Sequence, residues 1–155
     1  GPGATPDGRG YVENAKLLIF AGKDLTEYEV GNYCEEVGSD VFAYQLDLIK
    51  VKFDDNIIRL GSGMFWGCQK LEEVTLPSEL KYIGIHSFID CPNLKSVYMR
   101  SPLPPELEQY GTDVDDIFDD PERLGDLKIY VPESSVSLYK DTFPWNQSFC
   151  LSRRR

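Results

Sequence analysis

Residues 60–77 read LGSGMFWGCQKLEEVTLP, and this pattern recurs once before and once after at a spacing of 23 residues. Seven positions hold an apolar residue or a glycine in all three units, while the positions between them vary. A fixed period of this length indicates a repeat architecture, in which each unit leaves an apolar face open and stacking closes it. The seven columns are Val37, Leu60 and Ile83; Gly38, Gly61 and Gly84; Phe42, Phe65 and Phe88; Leu48, Leu71 and Leu94; Val51, Val74 and Val97; Phe53, Leu76 and Met99; and Ile57, Leu80 and Leu103.

Each unit predicts one short strand. The segment Leu71–Leu76 ends in strict apolar alternation, so Val74 and Leu76 should point inward and the residues between them outward. The glycine column comes where the chain must turn, and we expect these glycines to occupy a corner that favours positive φ. The phenylalanine column follows four residues later, in a segment too short for an independent helix, and should anchor a single helical turn or irregular coil.

These features predict an α/β repeat fold. We expect a right-handed solenoid, strand-rich with short helical turns, with parallel strands on one face and the phenylalanine, leucine and valine columns buried. The predicted organisation is a flexible N-terminal tail over residues 1–12, a capping coil over 13–36, three repeats over 37–105, an acidic insertion over 106–126, a C-terminal strand and cap over 127–150, and a basic tail over 151–155.

The net charge argues against a nucleic acid partner, and the short apolar runs argue against a membrane span. The chain has 16 basic and 26 acidic residues, a formal net charge of −10. This sign is wrong for coating a phosphate backbone, so no nucleic acid partner is expected. The longest apolar run, residues 17–21, is far shorter than the roughly 18 residues of a membrane span, so no span is predicted in this chain.

Residues 60–77 resemble the BspA-like leucine-rich repeats of surface and secreted proteins from Bacteroidetes and some protists. The next unit keeps the pattern at Ile83-Gly84, Phe88 and Cys91, while the first has Gln45 for the cysteine and Asp54 for the proline. The ending Ile129–Pro132, with Val136, Tyr139-Lys140 and Trp145, is similar to the element that closes such arrays. The resemblance implies a leucine-rich-repeat solenoid and an exported bacterial surface protein, but no residue-level binding motif.

The cysteines do not form a metal or redox motif. Cys34, Cys68, Cys91 and Cys150 are even in number and would suit two disulfides in an exported chain. However, Cys68 and Cys91 share one column, so their Cβ vectors should run parallel on neighbouring coils. We therefore expect buried thiols, with a bridge between these two left open.

No catalytic or cofactor site is predicted. His86, the single histidine, cannot complete a Cys and His metal set, and no serine lies in a nucleophile elbow. The sequence Gly61-Ser62-Gly63 lacks the lysine of a phosphate loop. We expect a structural role for His86, no cofactor and no enzymatic activity.

The segment 101–126 carries nine acidic residues and one base. Like charges at this density are typical of a solvated excursion. Carboxylates are also the ligands that calcium prefers, but the spacing does not fit an EF-hand. A weaker alternative is therefore a calcium site formed by Asp113, Asp115, Asp116, Asp119 and Asp120.

The outward positions of successive strands should stack into a ladder. A ladder of mixed charge with two tyrosines could bind a protein, because tyrosine is enriched at interfaces, and it could equally be an ordinary solvated sheet face. After Glu27 and Glu29 of the capping coil, the candidate binding residues are Lys50, Lys52, Glu73, Thr75, Ser96, Tyr98, Lys128 and Tyr130.

Together these observations predict a non-enzymatic cell-surface or secreted interaction or adhesion module, with a protein or glycan partner. The alternatives are a structural spacer in a larger surface assembly and, less favoured, a carbohydrate-acting enzyme that uses carboxylates of the acidic segment. The expected location is bacterial, secreted or at the cell surface, with no signal segment within the chain itself.

Overall fold

The computed structural model describes residues 2–108, 117–118, 127–142, 144–146 and 150–153. A short 3-10 helix at Glu133–Ser135 leads into α1 (Val136–Lys140). No helix in these ranges has the length and apolar character of a membrane span. The strands are β1 (Gly3–Ala4), β2 (Gly10–Glu13), β3 (Lys16–Phe20), β4 (Glu27–Val30), β5 (Glu36–Val37), β6 (Lys50–Phe53), β7 (Arg59–Leu60), β8 (Glu73–Leu76), β9 (Tyr82–Gly84), β10 (Ser96–Met99), β11 (Glu106–Glu108), β12 (Lys128–Val131) and β13 (Cys150–Arg153).

The strands form two sheets that wind as a solenoid, which confirms the predicted fold class. Sheet A has the order β1-β2-β3-β5-β7-β9-β11, and sheet B has the order β13-β12-β10-β8-β6-β4. All pairings in sheet B are parallel, and each pairing between two repeats joins residues 23 apart, such as Val51 with Val74. Sheet A was not anticipated as a sheet, because its repeat strands are only two or three residues long.

The predicted columns fill the space between the two sheets. The phenylalanine, leucine and valine columns are buried throughout the three repeats, as expected. Phe42, Phe65 and Phe88 stack in sequence, with ring centroids 5.7 and 5.6 Å apart. Because each side chain fills the same slot in successive coils, the core is a continuous column of rings.

Glycine is needed in this column for a different reason from the one expected. Gly61 and Gly84 do not have positive φ; instead, the backbone of the preceding coil passes directly beside them. A Cβ on Gly84 would lie 2.3 Å from the backbone nitrogen of Ser62, and one on Gly61 would lie 2.5 Å from that of Ser39. The column therefore permits close approach of coils, and the expectation of a left-handed corner at these positions was wrong.

Within the three repeats, the residues with left-handed backbone lie at two other columns. Asp40, Gly63 and His86 have φ near +60°, and the same conformation returns four residues later at Tyr44, Gly67 and Asp90. These positions frame the turn that carries each buried phenylalanine. The sequence does not reveal them, because glycine occupies each column in only one unit.

Strands β1 and β2 lie largely within residues 1–12, the range where a flexible tail is expected. Strands β1 and β2 pair antiparallel, and β2 pairs antiparallel with β3, so a meander closes this end of sheet A. The turn between β1 and β2 is tied to the first coil, because Asp7 accepts a hydrogen bond from the Tyr28 hydroxyl at 2.6 Å. Arg9 also pairs with Asp24.

Parts of the predicted acidic insertion belong to the solenoid. Strand β11 continues sheet A beside β9, and Phe118 stacks on Phe88 with centroids 5.2 Å apart. Ile117 and Phe118 are buried, because they supply the apolar side chains that the next coil requires. Strand β11 and Phe118 therefore join the solenoid, although both lie in residues 106–126, the range expected as an insertion.

The C-terminal end closes the stack with aromatic side chains. Buried Tyr139 and Trp145 donate hydrogen bonds to the backbone carbonyls of Ser101 and Pro105 at 2.8 and 3.3 Å. Strand β13 then pairs with β12 in parallel, and its residues 151–153 lie in the range of the predicted basic tail. The edge of β12 offers main-chain donors and acceptors for this pairing, whatever the charge of the added side chains.

Candidate functional site

The outer face of sheet B brings the predicted binding residues together in two parallel rows. Strand alternation turns the apolar columns inward and leaves every second side chain on the outer face. We call these two rows the ladder. The first row runs Glu27, Lys50, Glu73, Ser96 and Lys128, and the second runs Glu29, Lys52, Thr75, Tyr98 and Tyr130.

The N-terminal half of the ladder is charged and alternates in sign. Glu29 and Lys52 form an ion pair at 3.8 Å, and both side chains are more than half exposed. A pair this exposed contributes little to stability. The charged half also contains a shallow groove of about 500 Å³ lined by residues of β4, β6 and β8.

The C-terminal half of the ladder is aromatic. Tyr98 and Tyr130 stack with ring centroids 4.8 Å apart and an angle of 13° between their planes, and both are partly exposed. The stack follows from the strand register, which places these residues directly opposite each other. Each ring covers one face of the other, and both side chains remain partly exposed to solvent.

The outer face of sheet A is held together by its own side chains. Arg59 pairs with Glu36 at 2.9 Å and with Glu108 at 3.0 Å, and its guanidinium lies 4.5 Å from the centre of the Tyr82 ring. These contacts link three neighbouring strands, β5, β7 and β9, to β11. Arg59 therefore links the coils of sheet A to each other.

A second groove, of about 850 Å³, lies beside the Pro102–Pro105 segment. Leu80 and Tyr82 line one side, and Thr142 after α1 lines another. Leu103 is 67% exposed at this groove although it belongs to a repeat column. The period alone does not predict this groove, because it depends on how α1 meets the preceding coil.

The cysteines confirm the prediction of buried thiols. Cys34, Cys68 and Cys91 are all buried. Cys68 and Cys91 each donate to a backbone carbonyl 26 residues earlier, that of Phe42 at 3.1 Å and of Phe65 at 3.0 Å. Burial raises the pKa of the Cys68 thiol to about 11, so it is a poor nucleophile at neutral pH.

The remaining candidates are not assembled into a site in the ranges that the structure describes. His86 contacts the Trp66 ring edge-on, with centroids 5.2 Å apart. No cluster of three or more histidine, cysteine or acidic residues suited to a metal ion occurs among the described residues. The calcium alternative at Asp113, Asp115, Asp116, Asp119 and Asp120 lies outside those residues.

The comparisons with known proteins match this architecture. The family model for the BspA type leucine rich repeat region matches residues 16–114 in six copies. None of the proteins with curated descriptions matches this chain significantly.

Solved structures show the same fold. A leucine rich cell surface protein from Faecalibacterium prausnitzii has a TM-score of 0.63 and 20% identity, covering 99% of this chain and 38% of its own. The pneumococcal vaccine antigen PcpA has a TM-score of 0.54 and 18% identity, covering 97% and 49%. The leucine rich repeat protein of T. pallidum has a TM-score of 0.51 and 25% identity, covering 63% and 45%. This chain thus spans less than half the length of each.

Proposed function

The chain belongs to the BspA-type leucine-rich repeat family, and from this premise we propose that it is the interaction module of a bacterial surface protein. In this proposal the ladder on sheet B binds a protein partner, and adhesion is the activity that the module serves. The similarity to a protein described as a leucine rich cell surface protein supports the proposed location. Binding rather than catalytic turnover is the proposed activity.

The observation that carries the proposal is the Tyr98–Tyr130 stack at one end of a continuous polar face. Tyrosine combines apolar area with a hydroxyl at low entropic cost, and interface hot spots are enriched in it. The register already holds the two rings in place, so a partner would spend little free energy on ordering them. The neighbouring charged rows would supply orientation and association rate.

The geometry of the stack favours a protein over a glycan as the partner. Sugars pack on the exposed faces of aromatic rings, and in this stack one face of each ring is already covered by the other ring. Ring edges and hydroxyls can instead contact peptide groups and apolar side chains of a protein surface. The same argument applies along the ladder, where charged side chains rather than ring faces fill the other positions.

The experiment is a capture of purified host matrix proteins and bacterial surface proteins on the immobilised chain, followed by affinity measurement for each captured protein. Tyr98→Ala and Tyr130→Ala should each weaken binding by on the order of 1 kcal/mol or more, which is at least about fivefold. Tyr44→Ala is the matched control, because Tyr44 is 65% exposed and lies outside sheet B.

Equal affinity of the Tyr98→Ala/Tyr130→Ala double variant and the wild type, at an unchanged melting temperature, would move the binding site away from the ladder. Hydrolysis of a glycan or peptide panel by the purified chain would contradict the proposed non-enzymatic role. Loss of that hydrolysis on changing the aspartates of residues 113–120 would assign it to the acidic segment.

A further inference from the structure

Strand β4 is the last strand of sheet B at the N-terminal end of the solenoid. In sheet A the corresponding position is covered, because β2 pairs with β3. Among the residues that the structure describes, no strand pairs with the outer edge of β4. Sheet A continues past β3 to the two-residue strand β1, whereas among the described residues sheet B ends at the four-residue strand β4.

The hydrogen bonds of the first coil show which groups face that edge. The Lys50 amide donates to the Thr26 carbonyl, and the Asp54 amide donates to the Val30 carbonyl at 2.8 Å. Along a parallel strand, alternate residues direct their main-chain groups to opposite edges. Thr26, Tyr28 and Val30 therefore face β6, and the main-chain groups of Glu27 and Glu29 face the open edge.

The charge pattern of β4 specifies what can pair with it. Its partner within the chain is β6, Lys50-Val51-Lys52-Phe53, which sets Lys50 opposite Glu27 and Lys52 opposite Glu29. A strand added to the outer edge would face the same two carboxylates at the same spacing of about 4.8 Å. Opposite charges across strands stabilise pairing and like charges oppose it.

The two glutamates also restrict which strands can pair with this edge. Charged side chains on an edge strand discourage association with apolar or acidic strands. A basic strand escapes this penalty, because its lysines or arginines neutralise Glu27 and Glu29. The Glu29 side chain lies 3.8 Å from Lys52 and is 72% exposed, so solvent reaches its carboxylate.

We propose that the outer edge of β4 docks an extended basic segment of a partner protein as an added parallel strand. The segment has a lysine or arginine at two positions separated by one apolar residue, opposite Glu27 and Glu29. Main-chain hydrogen bonds provide affinity and the two charges provide selectivity, as in strand addition generally. The site shares Glu27 and Glu29 with one end of the ladder, but it does not use Tyr98 and Tyr130, which carry the ladder proposal.

The test uses a blocked, fluorescently labelled peptide that reproduces residues 48–53 of this chain, because that sequence already pairs with β4. We expect saturable binding to the full chain that decreases as salt is raised. The double variant Glu27→Lys/Glu29→Lys, and a peptide with glutamate at both lysine positions, should each lower affinity by about tenfold or more. Glu27→Gln/Glu29→Gln serves if the charge reversal fails to fold.

Backbone methylation distinguishes strand addition from a purely ionic contact. In the docked register, the peptide amide equivalent to Val51 faces β4 and that equivalent to Lys52 faces away. Methylating the first should abolish binding, while methylating the second should preserve it. Equal effects of the two methylations, or no saturable binding up to millimolar peptide, would overturn the proposal. The Tyr98→Ala/Tyr130→Ala double variant should bind the peptide normally, which separates this result from the ladder test.

Discussion

Replacing Gly84 by alanine tests how closely the coils approach each other. The new methyl group would lie 2.3 Å and 2.4 Å from backbone nitrogen and Cα atoms of Ser62, and 2.5 Å from the carbonyl carbon of Gly61. These are backbone atoms that no rotamer change can move. The coils must therefore separate, which strains the pairing of β7 with β9.

The expected loss of stability is large for a single methyl group. Overpacking a well-packed core costs about 1–3 kcal/mol, and contact with backbone on two residues belongs at the upper end. Replacing glycine also restricts the unfolded chain, which returns about 0.4–1 kcal/mol. We expect Gly84→Ala to lower the free energy of unfolding by about 2 kcal/mol.

Gly38→Ala is the matched control from the same column. Its Cβ would lie 3.2 Å from the Leu17 carbonyl oxygen and farther from every other neighbour, so this change should stay within about 1 kcal/mol of the wild type. Urea unfolding followed by circular dichroism compares the two variants, with one common slope of the free energy of unfolding against urea concentration. Equal stability of Gly84→Ala and Gly38→Ala would refute the explanation of the glycine column by coil-to-coil contact.

Two further predictions concern stability. Phe65→Ala should cost about 3–5 kcal/mol in urea unfolding, because Phe65 is fully buried between Phe42 and Phe88, whereas Phe65→Leu should cost clearly less because it keeps most of the buried volume; similar losses would mean that the ring stack, which leucine cannot replace, outweighs buried volume. The Arg100 guanidinium donates hydrogen bonds to both oxygens of Asp55 at 2.8 Å and lowers the pKa of that carboxyl. The stabilisation from this ion pair is therefore present above pH of about 4 and is lost as the pH falls through the lowered pKa. Since Asp55 is 43% exposed, Asp55→Asn should cost below about 1 kcal/mol at neutral pH and nothing in acid, and a cost independent of pH would contradict this ion pair.

The interior of the solenoid could be predicted because each buried column repeats. An apolar residue at the same place in three units identifies a slot that every coil must fill, as Phe65 and its neighbours do. The period could not reveal what happens where it breaks. Phe118 follows Phe88 by 30 residues rather than 23, so its place in the phenylalanine stack depends on a contact that no regular spacing indicates.

The ends of the fold were harder to predict for a related reason. Capping segments do not follow the repeat, and β1 and β2 carry too few apolar residues to indicate strands. In the candidate site, alternation was enough to place the ladder residues on one face. The Tyr98–Tyr130 stack and the Arg59 network depend on distances between coils, which the order of residues does not contain.

Chemical modification of tyrosines in the complex tests, within one molecule, whether a protein partner binds at the ladder. Once a protein partner is captured, nitration or iodination of the bound and free chain can be compared at Tyr98 and Tyr130 on sheet B, Tyr82 on sheet A, and exposed Tyr44. We expect the partner to protect Tyr98 and Tyr130 and to leave the reactivity of Tyr82 and Tyr44 unchanged. Protection of Tyr82 or Tyr44 with unchanged reactivity at Tyr98 and Tyr130 would contradict it.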